Sequence, residues 1–167
     1  GPDLSCTVIL RSRPVDADTL LIHRLTVIAF AGLTTLLCVV LHFEALHRLR
    51  RTMSLIGFHH PRPRMMLIII TMLLVHSLEI GFFACAYYLL AHHMEVASFT
   101  GLNTAELGDY MYYSAMVYTT VGFGDITPNG EIRVLTQIEA LTGLLLITWS
   151  ATYTFLEMRL TWGRGDD

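Results

Sequence analysis

Lysine is missing from this 167-residue sequence: all 11 of its cations are arginines, and 14 acidic residues bring the net charge to -3. Without a basic excess, no nucleic-acid partner is expected. Cysteine is scarce too. Cys6, Cys38 and Cys85 lie far apart, two of them inside hydrophobic stretches, which argues for buried free thiols and against a disulfide framework. Charged residues make up 15% of the chain against 53% hydrophobic, too little polar surface to cover a water-soluble globule. No nucleophile with an adjacent base, no metal-ligand cluster and no phosphate loop is visible, so an enzyme is not expected and no cofactor is implied. The arginines do not recur at every third position within a span, which excludes a voltage-sensor pattern.

What the chain does have is long hydrophobic runs. Residues 20–43, 65–91 and 132–158 each approach the roughly 20 apolar residues needed to cross a bilayer. The expected class is an all-α, multi-pass membrane protein of the cell membrane, with the prokaryotic plasma membrane as its setting. The remaining pieces are shorter than the roughly 50 residues of a small domain, so any gating signal acts on the membrane part directly. Arg48, Arg50, Arg51, Arg62 and Arg64 crowd the first connection and Arg159 and Arg164 follow the third run, which places those segments in the cytoplasm. The second connection carries Glu95, Glu106, Asp109, Asp125 and Glu131 and faces outward, and the N-terminus is then outside. Arg11, Arg13 and Arg24 favour the opposite orientation for the first span.

The chain divides into an N-terminal segment (1–19), a first span (20–43), a basic linker (44–64), a second span (65–91), an outer loop (92–108), a short helix (109–118), an extended segment (119–125), a third span (131–160) and a tail (161–167). In the linker, Leu46, Leu49 and Met53 form a stripe against Arg48, Arg50 and Arg51. It reads as an amphipathic helix at the cytoplasmic interface or as a plain continuation of the first span. Pro61 and Pro63 are expected to end it. Asp109 is positioned to cap the short helix. A helix too short to span, followed by glycine-containing extended chain, is a re-entrant loop, and such backbone is tolerated at membrane depth only in a protein interior or along an aqueous path.

The residues Thr119-Thr120-Val121-Gly122-Phe123-Gly124-Asp125 resemble the signature of the potassium-channel superfamily. The resemblance extends over residues 65–160 and implies an outer helix, pore helix, filter and inner helix, preceded here by an additional span. It further implies a homotetramer in a lipid bilayer, since one loop per chain cannot close a ring. Potassium ions would be held by Thr120, Val121, Gly122, Phe123 and Gly124, whose backbone carbonyls replace the hydration shell. Gly122 and Gly124 permit the left-handed conformations that aim successive carbonyls at one axis. Val121 and Phe123 would point away and pack. Thr119 and Asp125 flank the filter, and Tyr112 or Tyr113 is placed to bond Asp125. Met116 stands where many relatives carry a carboxylate behind the filter, and Phe123 lacks the hydroxyl of the commoner tyrosine.

Gly143 falls near the family's inner-helix hinge, with close helix packing as the alternative reading. Leu144, Ile147, Ala151 and Phe155 share one helical face and would line the cavity and gate. Glu79 and Glu139 are carboxylates inside spans, where each requires hydrogen bonds, protonation or a wet cavity. Glu139 is expected to brace the pore helix from behind. His76, one turn before Glu79, is its expected partner, and all three are candidate modulatory residues. His59-His60 and His92-His93 read as solvated interfacial residues. Competing functional readings are a nonselective cation channel and a non-conducting regulatory membrane subunit.

Overall fold

The computed structural model describes residues 17–56, 61–94, 97–102 and 106–162; His59, His60, Glu95, Cys6, Arg11, Arg13, Arg164 and the tail beyond 162 lie outside them. Three long helices dominate: α1 (Ala17–Ile56), α2 (Pro61–His92) and α4 (Arg133–Trp162). All three are long and apolar enough to cross a membrane. Between α2 and α4 lie strand β1 (Ser98–Thr100), helix α3 (Leu107–Tyr118), strand β2 (Thr127–Asn129) and a single 3-10 turn (Gly130–Ile132).

The first span does not stop at residue 43. α1 runs unbroken through the arginine-rich segment, so the continuation reading holds and the interfacial amphipathic helix does not. Its Leu46, Leu49 and Met53 are buried against Ile68 and Met72 of α2, not laid on a lipid surface. α2 begins at Pro61, four residues before the expected start, because proline is tolerated in a first helical turn, where its missing N–H has no intrahelical partner.

On α1 the buried positions Val27, Ala31, Thr34, Cys38, His42, Leu46, Leu49 and Met53 recur every three or four residues and form one stripe. Small and polar side chains occupy its middle while Leu33, Leu36 and Leu37 face outward. That inversion suits a bilayer, where apolar surface needs no burial and helices approach through small or hydrogen-bonding residues. α1 therefore packs on α4 as well as on α2, through contacts such as Thr35 with Thr142 (3.4 Å).

Two ion pairs fix which ends lie together. Arg24, early in α1, bonds Glu131 in the turn that leads into α4 (2.9 Å). Arg64, at the start of α2, bonds Glu157 near the end of α4. The beginning of α1 thus shares an end with the segment after residue 125, and the arginine-rich termini share the other.

Between α2 and α3 the described residues include one strand of a small sheet. β1 and β2 pair antiparallel with Phe99 opposite Pro128, and Phe99 stacks edge-on against Tyr87, Tyr110 and Tyr113. At Gly101 (φ +93°) a side chain would meet the Asp125 carbonyl at 2.0 Å, so only glycine lets the loop close over that residue.

Candidate functional site: the re-entrant loop and its supports

α3 is too short to cross a bilayer, at roughly 18 Å for a rise of about 1.5 Å per residue. It begins at Leu107, with Glu106 in the cap position and no side-chain cap bond, so Asp109 sits inside the first turn instead of capping it. The helix ends at Tyr118, and Thr119 closes it by donating its amide to Ala115 O (3.1 Å) and its hydroxyl to the same carbonyl (2.6 Å).

Beyond the helix the backbone alternates. Thr120, Gly122 and Gly124 have φ of 60°, 54° and 81°, so every second residue is left-handed. Glycine makes this conformation accessible at 122 and 124. Thr120 adopts it against the preference of a β-branched residue, a feature not anticipated from the sequence. Bonds back to the helix support the segment: Thr120 N donates to Val117 O (2.9 Å) and Gly122 N to Met116 O (3.1 Å). Thr119 through Asp125 are all exposed in the single chain, and Phe123 is 71% exposed. Val121 and Phe123 are therefore left largely uncovered by their own chain.

Of the two tyrosines offered for Asp125, Tyr112 makes the bond, donating to Oδ2 at 2.9 Å. That bond holds the Tyr112 phenol above its ordinary pKa. Tyr113 instead bonds Thr136 of α4 (2.9 Å) and is buried among aromatic rings. A cavity of about 150 Å³ behind the segment is lined by Tyr112, Tyr113, Met116, Phe123 and Asp125.

α3 is held from behind by Glu139 of α4. This fully buried carboxylate accepts from Ser114 of α3 and from Tyr87 of α2, both at 2.5 Å. Gly143, one turn further along, lies against the end of α3, where an added Cβ would be 2.2 Å from the Tyr118 carbonyl. Close packing thus has a contact behind it, inside a helix that continues without a break. Leu144, Ile147, Ala151 and Phe155 are all exposed on α4.

Glu79 has more partners than the expected one. It accepts from Tyr118 (2.5 Å) and contacts His76 (2.8 Å) and His42 of α1 (3.0 Å). His42, inside the first hydrophobic run, is completely buried. The clue was the polar residue itself, sitting one turn after Cys38 on the small-residue stripe.

Comparison with known proteins adds an independent line. Residues 69–159, more than half of the chain, match the family described as ion channel. A 50-residue stretch is 46% identical to the uncharacterized membrane protein YdjJ of Bacillus subtilis (strain 168) and covers 29% of this chain but only 15% of that protein's length. No solved structure matches. The matched region runs from α2 through the re-entrant loop to α4, and with three membrane-capable helices around that loop the chain belongs to the ion-channel family as a multi-pass membrane protein.

Proposed function

We propose that four copies of this chain form a potassium-selective pore in the cell membrane, with the carbonyls of Thr120, Val121, Gly122 and Phe123 lining the ion path and Gly124 completing it. The observation that carries this reading is the alternation of left-handed backbone at Thr120, Gly122 and Gly124. In such a segment successive carbonyls can turn toward one side, and four segments around an axis supply the oxygen cage that replaces a potassium ion's water. The exposure of Val121 and Phe123 fits the same arrangement, because neighbouring copies would cover them. α3 ends immediately before the filter, so its negative dipole end favours a cation at the inner side. Thr120 adds its hydroxyl to the innermost position. Leu144, Ile147, Ala151 and Phe155 form the cavity and gate face of α4. The filter end, with the start of α1, lies outside, and the arginine-rich end lies in the cytoplasm.

Flux into liposomes tests this directly. Purified protein is expected to carry potassium in preference to sodium, and Gly122→Ala to abolish the flux, since alanine is strained at φ 54°. Equal potassium and sodium flux from the unaltered protein would establish a nonselective cation channel instead.

A further inference from the structure

Between α1, α2 and α4 lies a polar cluster that ion conduction does not require. His42 Nδ1 is 3.0 Å from Glu79 Oε1 and His76 Nδ1 is 2.8 Å from Glu79 Oε2. On their far sides, both Nε2 atoms face one hydroxyl, Ser150 Oγ, at 3.3 Å for His42 and 3.0 Å for His76. The hydrogens do not suffice. A serine hydroxyl donates once, so at least one ring must carry its N–H on Nε2, and a neutral ring of that kind turns a bare Nδ1 toward a carboxylate oxygen. If Ser150 donates to Met72 Sδ (3.3 Å), both rings do so. Tyr118 Oη lies 2.5 Å from Glu79 Oε2 and 3.0 Å from His76 Nδ1, and its single hydrogen serves one of them, so it does not remove the contact of a bare Nδ1 with the carboxylate. The cluster is one positive charge short.

We propose that His42 Nδ1, His76 Nδ1 and the Glu79 carboxylate bind a divalent transition-metal ion of the zinc type. The three donor atoms lie within 4.8 Å of one another. His76 and Glu79 are three residues apart on one face of α2, and α1 brings His42 to them. Two imidazoles and a carboxylate, with a fourth position for water, is a ligand set that suits zinc. The surroundings match as well: Ser150 Oγ accepts the outer N–H of both rings and fixes the tautomer that ligates, while Tyr118 orients the carboxylate. A groove of about 430 Å³ lined by Met72, His76, Ile147, Ser150, Ala151 and Phe155 supplies an entry path between α2 and α4. The ion would clamp α1 to the pore module one residue from the filter, at Tyr118, and one residue from the gate face, at Ser150. The site does not depend on potassium selectivity.

The test uses untagged, chelator-stripped protein in detergent, carrying His92→Ala and His93→Ala to remove a competing surface pair, and equilibrated with zinc. About one zinc per chain and a raised unfolding temperature are expected. His42→Asn and Glu79→Gln should lose both, and Ser150→Ala should keep the fold while weakening zinc affinity roughly 10–100-fold. If His42→Asn does not fold, Ser150→Ala decides. The proposal is overturned if the stripped protein retains no zinc, or if His42→Asn or Ser150→Ala binds it as tightly as the parent. An unfolding temperature that ignores zinc but depends on pH through His42 would also overturn it, and would show that a proton completes the cluster.

Discussion

Tyr112 and Glu139 show how single side chains support a loop that has few contacts of its own. Tyr112 ties the end of the 119–125 segment to α3 through Asp125. Phenylalanine at 112 removes that bond and nothing else, so Tyr112→Phe should leave assembly intact and shorten conducting bursts in single-channel records; bursts of unchanged length would mean the bond does not restrain the filter. Glu139 acts at the other side of α3. Replacing it with alanine takes an acceptor from the Ser114 and Tyr87 hydroxyls, which retain weaker alternatives in the Ile80 carbonyl and Thr136 Oγ1. A loss of about 1–3 kcal/mol is expected for Glu139→Ala, with Glu139→Gln between it and the parent in thermal unfolding. Thr120 illustrates what the sequence conceals at this scale. Glycine at 122 and 124 announces left-handed backbone, whereas threonine at 120 argues against it, and the conformation there is imposed by bonds to the end of α3.

Among the elements, glycines at close approaches govern how α4 meets the end of α3 and how the chain after β1 meets Asp125. Gly101 and Gly130 both have positive φ, but only Gly101 has a neighbour, the Asp125 carbonyl, where a side chain would stand. Gly130→Ala should therefore cost only the conformational term of about 1–2 kcal/mol, and Gly101→Ala clearly more, because β1 must also move. Equal unfolding shifts for the two would show that the close approach at 101 carries no weight. The stripe Leu46, Leu49, Met53 was legible from its spacing, yet its destination was not. Periodicity names the face of a helix and leaves open whether that face meets lipid headgroups or another helix of the same chain. The structure settles it through Ile68 and Met72. Leu49→Ala should accordingly destabilise the protein by about 2–5 kcal/mol, as in a packed core, while Leu36→Ala on the outward face of α1 should stay within about 0.5 kcal/mol. The β1–β2 pairing escaped notice for a different reason: three-residue strands carry too few side chains to show an alternation.

For the whole molecule, hydropathy and charge were enough to outline three spans, because lipid imposes a length and a composition that water-soluble packing does not. The sequence also placed His76 beside Glu79 and Glu139 behind α3, which the structure shows, but it left most of the polar interior unread. Glu79, Glu139, His42, Thr142 and Ser150 sit on the buried stripes while leucines face outward, and such residues find their partners across helices distant in sequence. The single chain leaves Val121, Phe123 and the Leu144 to Phe155 face of α4 uncovered, which is the pattern expected of a subunit. Native mass spectrometry should find four copies of the 18.8 kDa chain in one particle. The most direct measurement of the central claim is the reversal potential of single channels in a planar bilayer with potassium on one side and sodium on the other. A potassium-selective filter shifts it strongly toward the potassium equilibrium potential, and Gly122→Ala removes the current; a reversal potential near zero would contradict the account.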